Sequence, residues 1–311
     1  GINQVLKISR KNNKPFGGVQ ICVIGDLFQL PPIVGRDEQD FFAQYYKSPF
    51  FFASKSFPEA DFKTINFETI HRQNDPQFIH VLNAIRDGNC KNADLECVNA
   101  RVEPKATPAP GTLVLTTTNA LAESINTTKL AGIKAKSWVY EAQFSGDFNL
   151  SGARLPAPEE LVLKVGAQVM FVKNDNKQFR WVNGTVGIVE SLNDEEILVR
   201  VGAEIYEVEQ VKWKTIGYEF SEEEGKIVEK TLGTYTQFPL MLAWAITIHK
   251  SQGKTLERVI IDLGSGAFAA GQLYVALSRC KSLSGIALKQ HITKADILCD
   301  QDVVEFVEQN G

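Results

Sequence analysis

The sequence contains one Gly-Lys-Thr, Gly253-Lys254-Thr255, the residues that close an ATP-binding P-loop, within ITIHKSQGKTLERVIIDLG from Ile246 to Gly264. A P-loop needs G-x-x-x-x-G-K-[ST], because an upstream glycine lets the backbone curl its amides around the phosphates. With Gly253 as the second glycine, the first must fall at position 248, which is Ile248. The context disagrees as well. A P-loop follows a strand and opens a helix, whereas Gly253 follows the apolar run Phe238 to Ile248, predicted as a mostly buried helix, and precedes a strand, Val259 to Ile261. Two apolar strands end in aspartate, Val23-Ile24-Gly25-Asp26 and Val259-Ile260-Ile261-Asp262, an arrangement that can hold magnesium beside a P-loop. Such strands are common in α/β folds, and neither has a P-loop upstream in this sequence. The residues alone therefore make no complete nucleotide site, and leave open that they make the other half of one.

The elements that would position these residues follow from patterning. Ile2, Val5, Leu6 and Ile8 fall near one face, so the chain opens in what reads as the middle of a helix, and further sequence is expected upstream. Val19 to Ile24 reads as a strand stopping on Gly25-Asp26, the pattern of the carboxyl edge of a parallel sheet, where α/β folds place ligands. The aromatic-rich Phe41 to Phe57 reads as packing rather than a base-stacking surface. A short strand, Phe62 to Phe67, leads to His71-Arg72-Gln73 and a helix, Pro76 to Arg86, that Gly88 ends. Ala100 to Gly111, with three prolines and a glycine, is the linker candidate. Beyond it Thr112 to Thr116 reads as a buried strand, and Thr117-Thr118-Asn119 lead into a helix, Ala120 to Leu130. From Lys136 to about Tyr235, short alternating segments separated by Asn, Gly and Asp turns predict a small β-barrel or meander. Then VIIDLG reads as a strand, GQLYVALSR as a helix and GIALK as a final strand, so the α/β pattern resumes and the β-rich part is an insertion.

Composition narrows the class. The chain has 311 residues, 44% of them hydrophobic, enough for roughly two domains of ordinary size. A formal net charge of −4 argues against a uniformly basic coat for nucleic acid, yet is compatible with a local basic groove. The five cysteines, Cys22, Cys90, Cys97, Cys280 and Cys299, form no Cys-x-x-Cys pair and leave one odd, which favours reduced thiols in a cytosolic compartment over disulfides or zinc. No apolar run approaches the ~20 residues that span a bilayer, and GINQVLKISRKNNK has no hydrophobic signal core.

Four segments in this order resemble motifs of superfamily 1 DNA helicases of the Pif-type branch related to RecD. They are GDLFQLPP (Gly25 to Pro32), NFETIHRQNDPQFIHVLNAIRDG (Asn66 to Gly88), TIHKSQGKTLERVIID (Thr247 to Asp262) and YVALSRCKSLSGI (Tyr274 to Ile286). GAQVMFV and VNGTVGIV resemble the Src-homology-type barrel inserted in the second motor domain of that branch. The resemblance implies an α/β fold with a truncated first RecA-like domain (1–105), then a second RecA-like parallel-sheet domain (111–135 and 236–311). That second domain carries a β-rich insertion (136–235, barrel about 160–215). In such helicases ATP lies between the two motor domains, and positive groups must stabilise charge on the transferring γ-phosphoryl. By resemblance these groups are Arg72 in IHRQ and Arg279, the arginine finger in ALSRC. Gln29 senses the γ-phosphate, Asp26 links nucleotide to motion on the DNA side, and Gly253 lies near the nucleotide. Arginine suits the task because its planar fork donates two parallel hydrogen bonds to phosphate oxygens. His249, Lys250, Ser251 and Gln252 match the motif that touches the single-strand backbone, the alternative for His249 being an internal, hydrogen-bonded histidine. Thr117, Thr118 and Asn119 form a second DNA candidate, since a capped strand-to-helix corner can present its amides to a phosphate.

This sequence departs from the family in lacking the P-loop lysine and the Asp-Glu that precedes the GDxxQ motif. Asp37-Glu38 lies after that motif and has no apolar strand before it. The expectation is a C-terminal motor portion of an ATP-dependent helicase moving 5′ to 3′ on single strands. By itself it is expected to be inactive as an ATPase and to hold no bound ATP or Mg2+, which belong to the parent protein. Its partners would be single-stranded DNA and DNA junctions, with no membrane, no resident metal and a monomeric state. The location would be a bacterial cytoplasm, or a nucleus or mitochondrion in a eukaryote, and the roles DNA repair, recombination or telomere maintenance. The competing readings are a non-catalytic DNA-binding or scaffold protein that keeps a degenerate helicase fold, and the helicase part of a conjugative relaxase or a RecD-like subunit.

Overall fold

The computed structural model describes residues 1–35, 38–148, 155–221 and 226–310. Asp37, weighed above as part of an acidic pair, lies outside the described residues, as do 149–154 and 222–225 of the β-rich span. In chain order the helices and strands begin with α1 (Ile2–Ser9), α2 (Gln39–Tyr45), α3 (Pro76–Arg86), α4 (Asn92–Asn99), β1 (Leu113–Thr116) and α5 (Asn119–Ala131). The β-rich span follows as β2 (Trp138–Glu141), β3 (Gln143–Gly146), β4 (Glu160–Leu163), β5 (Gln168–Phe171), β6 (Val186–Leu192), β7 (Ile197–Val201), β8 (Glu204–Val208), β9 (Val211–Ser221) and β10 (Lys226–Gln237). The chain closes with β11 (Leu240–Leu242), β12 (Ala245–Thr247), β13 (Val259–Asp262), α6 (Gln272–Ser278), β14 (Ile286–Leu288) and α7 (Gln301–Asn310).

These elements form two compact units, one of 1–104 with 251–257 and 265–311, the other of 105–250 with 258–264. The division differs from the sequence-derived one, which keeps 236–311 together. The reason is visible in hydrogen bonds that no local pattern announces: the guanidinium of Arg72 donates to the carbonyl of Ser278 across a separation of 206 residues.

The first unit is mainly helical. Asp75 caps α3 by accepting from the amides of Gln77 and Phe78 at 2.9 and 3.3 Å, with Pro76 at the first helical position, an arrangement worth about 1 kcal/mol. Phe78, Val81, Leu82 and Ile85 follow at helical spacing and are the residues α3 buries. Gly88 then turns the chain at φ 72°. The aromatic run packs only in its second half, where Phe52 stacks on Phe306 of α7 with centroids 4.3 Å apart and Phe51 and Phe57 meet the same ring edge-on, whereas Phe41, Tyr45 and Tyr46 are exposed.

The second unit carries the sheets. β1 lies between β12 and β13, parallel to both, with Thr116 opposite Thr247 on one side and Asp262 on the other. All four residues of β1 are buried, which suits an apolar strand covered on both faces. The insertion is antiparallel: β11-β5-β6-β7-β8 form one sheet, β3-β10-β9 a second and β2-β4 a ribbon. Leu161, Leu163, Val169, Phe171, Ile197 and Val199 are each 1% exposed or less, and burying such side chains contributes roughly 1.5–3 kcal/mol apiece. The chain is thus α/β, a parallel sheet with an antiparallel insertion.

Three expected elements are corrected. Phe238 to Ile248 is not a helix but two short strands, β11 antiparallel to β5 and β12 parallel to β1. A continuously apolar run carries no period to separate the two states. Here buried amides decide: Asn126 exchanges two hydrogen bonds with the backbone of Ala245 (2.9 and 2.8 Å), and Gln168 donates to the carbonyl of Ala243 (2.8 Å). Val19 to Ile24 and Phe62 to Phe67 are not strands either. Ile24 is 84% and Phe67 90% exposed, and among the described residues no ladder partner is present for either segment, without which a strand's backbone groups stay unpaired.

Candidate phosphate-binding and strand-binding sites

The first unit gathers Asp26, Gln29, Arg72, Gly253 and Arg279. After Asp26 the chain makes a tight turn in which the amide of Gln29 donates to the carbonyl of Asp26 at 3.2 Å. The Asp26 carboxylate organises that turn, with Oδ1 accepting from the Phe28 amide (3.1 Å) and Oδ2 from Gln29 Nε2 (3.0 Å) and the Tyr274 hydroxyl (3.3 Å). Burial, together with the Asp26 charge, pushes the Tyr274 hydroxyl up to about 12, so it remains a donor at all working pH. Gly271 fixes α6 against the same turn. It sits at φ 71°, and a Cβ there would lie 2.2 Å from the carbonyl oxygen of Phe28, so only glycine fits.

Arg72 donates through Nε to the Thr255 hydroxyl (3.1 Å) and through Nη1 to the Ser278 carbonyl (3.0 Å). Its neighbour Gln73, 4% exposed, donates to the carbonyls of Ser278 (3.1 Å) and Cys280 (2.9 Å), which ties the 71–73 segment to the end of α6. The 251–257 segment is held to the same place: the Leu256 amide donates to the Arg279 carbonyl at 2.8 Å, and Lys281 pairs with Glu257. Gly253 itself is exposed at φ 76°, a left-handed turn residue.

Arg279 is 1% exposed and donates only to neutral groups: the Val275 carbonyl (2.9 Å), the Ser278 hydroxyl (2.9 Å) and the Lys254 carbonyl (3.5 Å). Among the described residues neither Arg279 nor Arg72 has a carboxylate within ion-pair distance. Burial, then the like charge of Arg72, lowers the Arg279 guanidinium to about 10, against weaker support from Tyr274 and Asp26. A buried cation without a counter-ion is costly, and two guanidiniums close enough to repel make a place where an anion would be stabilised.

The second unit holds Thr117, Thr118, Asn119, His249 and Lys250, all at the carboxyl edge of its parallel strands. The Thr118 hydroxyl caps α5 by accepting from the Leu121 amide at 3.3 Å, and Thr118 and Asn119 are exposed. The Ile248 amide donates to the Thr116 carbonyl at 2.9 Å, so the 3₁₀ turn His249–Ser251 starts beside the capped corner. Lys250 is exposed and His249 half-buried, and burial lowers the His249 imidazole below its usual value, which leaves it neutral at pH 7. Two predicted strand contacts are not presented to solvent. The Thr117 hydroxyl is buried and donates to the Leu263 carbonyl (2.9 Å), and Ser251 is fully buried. Ser251 and the exposed Gln252 belong to the first unit, since the chain passes between units after Lys250. Asp262, a magnesium imitator in the sequence, accepts from the Gly264 amide at 3.0 Å in a local turn. Among the described residues no group of three or more His, Cys, Asp or Glu side chains is placed to hold a metal.

Sequence reasoning quoted Gln73, Thr255 and Tyr274 within motifs but gave none of them a role of its own, and only the fold reveals that Gln73 and Tyr274 are the ties between the motif turns.

Comparisons with known proteins bear on the family of the chain. Residues 2–96 match the family described as PIF1-like helicase, and residues 150–192 match DNA helicase Pif1, 2B domain. The chain is 35% identical to an ATP-dependent DNA helicase Pif1 of Psychrobacter over 92% of its own length, but it covers 50% of that relative. It spans 46% of the human ATP-dependent DNA helicase PIF1 at 34% identity, and so about half the length of these curated relatives. Among solved structures, the Bacteroides Pif1 helicase in complex with ADP-AlF3 and ssDNA has a TM-score of 0.79 at 36% identity, with 99% of this chain and 71% of that one covered. The Candida albicans Pif1 helicase has a TM-score of 0.80 at 31% identity, with 100% and 73% covered. With its GDxxQ segment inside the matched residues 2–96 and 99% of its length aligned to a Pif1 helicase at 36% identity, the chain belongs to the Pif1-like helicase family.

Proposed function

We propose that this chain is the part of an ATP-dependent DNA helicase that receives the γ-phosphoryl group and grips the translocating strand, and that the whole protein moves 5′ to 3′ on single-stranded DNA. The observation that carries the reading is Arg279, fully buried, unpaired with any carboxylate among the described residues and close enough to Arg72 to feel its charge. A transferring phosphoryl group supplies the missing negative charge, and preorganised donors act most strongly where charge develops. Gln29, oriented by Asp26, and Tyr274, fixed on α6, connect that receptor to the motif turns. ATP bound with Mg2+ would supply the phosphoryl group, and the residues assigned here bind and orient it. The P-loop pattern is not present in these 311 residues, so this chain alone is expected to turn over no ATP.

For the strand, the exposed Thr118, Asn119 and Lys250 and the half-buried His249 are the contacts in the second unit, while Thr117 holds the corner in shape. A neutral His249 donates a hydrogen bond rather than adding charge. The protein is proposed to act as a monomer on single strands and at junctions.

Fluorescence anisotropy of this chain with a labelled single strand at several salt concentrations tests the strand assignment. Binding should weaken with salt, with a slope of about −0.7 per neutralised phosphate, and Lys250→Ala should reduce the slope by about that amount. Salt-independent binding, or none, would leave a scaffold with a helicase fold as the better reading.

A further inference from the structure

We infer that Phe179, in the loop between β5 and β6, is a base-stacking residue for single-stranded nucleic acid. The inference rests on the DNA reading above but places the contact in the β-rich insertion, outside every motif that reading uses. Phe179 is 83% exposed and sits at φ 56°. The left-handed region crowds a Cβ against the backbone, and turns that need it ordinarily carry glycine or asparagine. A large apolar ring held in that conformation and turned to water is unfavourable twice over, and such strain persists only where the surroundings over-determine it.

The surroundings do so. Asp175, 9% exposed, accepts from the amides of Lys177 (3.1 Å), Gln178 (3.3 Å) and Arg180 (3.4 Å) and from Arg180 Nε (2.6 Å). Burial opposes its charge, but these four donors outweigh burial and hold the carboxyl at about 2. The Phe179 amide donates to the Asp175 carbonyl, and the Asp175 amide to the Trp181 carbonyl, both at 3.1 Å. Arg180 also reaches the Glu207 carbonyl (3.2 Å) and lies over the Trp181 ring, which stacks on buried Phe171 with centroids 4.2 Å apart. Phe179 is thus the exposed tip of a loop locked on both sides, a preorganised ring that loses little freedom on meeting a flat ligand.

The loop chemistry selects the ligand. Lys173, Lys177 and Arg180 lie within six residues of the ring; Asp175, the loop's one described carboxylate, is occupied by Arg180, and Lys177 meets Glu209 only in an exposed pair at 3.4 Å, which a phosphate can displace. Cations around an exposed aromatic match a strand that offers phosphates and base faces together, and stacking of this kind tolerates any base sequence. A protein surface would offer no such regular alternation of charge and flat ring.

The test compares binding of the 311-residue chain, wild type and Phe179→Ala, to a single strand carrying bases and to one of equal length made of abasic residues. Expected is a loss of roughly 5- to 100-fold for Phe179→Ala on the base-bearing strand and a change within about twofold on the abasic one, with Phe179→Trp retaining affinity. Phe179→Gly should lose the same affinity without lowering the melting temperature, since glycine accepts φ 56°, and this separates the contact from folding. Equal binding of wild type and Phe179→Ala to the base-bearing strand would overturn the inference while leaving the DNA reading standing. An equal loss on the abasic strand would overturn it too, by showing that the ring does not meet bases. Absence of strand binding by the wild type would overturn both.

Discussion

Replacing Arg279 by methionine separates a poised charge from a structural brace. In the folded chain its guanidinium is lowered from its usual value to about 10, which at about 1.4 kcal/mol per pKa unit makes its charged form roughly 3 kcal/mol less favourable than in water. Against this stand three hydrogen bonds to neutral acceptors, at about 1 kcal/mol net each. The two contributions are of similar size, so Arg279→Met should change folding stability by no more than about 2 kcal/mol in either direction, as is often found when buried charges give way to apolar residues of similar volume. Urea unfolding followed by far-ultraviolet circular dichroism reads the helical unit that contains Arg279. The four tryptophans, Trp138, Trp181, Trp213 and Trp244, all lie in the other unit, so their fluorescence is an internal control. Pyrophosphate should raise the dichroism midpoint of the wild type more than that of Arg279→Met, because the variant keeps only one of the two guanidiniums, Arg72. A loss above about 4 kcal/mol, or equal stabilisation of both proteins by pyrophosphate, would refute the reasoning and make Arg279 a brace.

Other consequences follow from the same contacts. Gln73→Ala strips a donor from two carbonyls and should cost about 1–3 kcal/mol in urea unfolding, whereas a surface glutamine would cost nothing measurable. Gly271→Ala must push the start of α6 off the Phe28 carbonyl in an unfavourable backbone conformation, and should cost about 1–3 kcal/mol of stability, read as a lower dichroism midpoint; an unchanged midpoint would mean that the turn and α6 are not tied. His249 has a folded pKa below 6.5, so the stability its neutral form contributes is present above pH 6.5 and is lost as pH falls through the lower, folded value. Unfolding measured from pH 8 down to pH 5 should show that decline, and His249→Gln should flatten part of it.

Much of the fold could be read from local chemistry. Asp75 followed by Pro76 and four apolar residues at helical spacing announces α3 to the residue, and Thr118 before an apolar-periodic run announces the start of α5. What could not be read depends on partners far along the chain. The Phe238–Ile248 run is uniformly apolar, and its two strands are selected by the buried amides of Asn126 and Gln168, more than 70 residues away. Val19–Ile24 and Phe62–Phe67 have strand composition but no ladder partner among the described residues, so pattern alone overstated them. Arg279 was found through a resemblance, because nothing in ALSRC states that the side chain will be buried without a counter-ion. The strand motif was only half legible: Thr117 and Ser251 have suitable hydroxyls, yet each is buried within its own unit. Phe179 gave no signal at all, since its unusual feature is a backbone angle.

Strand-stimulated ATP turnover of the full-length protein, with and without Arg279→Ala, tests the phosphoryl-receptor assignment most directly. Expected is a fall in kcat of roughly 10³-fold or more, the scale of an arginine supplied to a transferring phosphoryl group, with single-strand affinity in the absence of nucleotide within about twofold of wild type. A loss of less than about tenfold, or one that merely follows weakened strand binding, would contradict the assignment of this buried arginine to the chemistry of the γ-phosphoryl group.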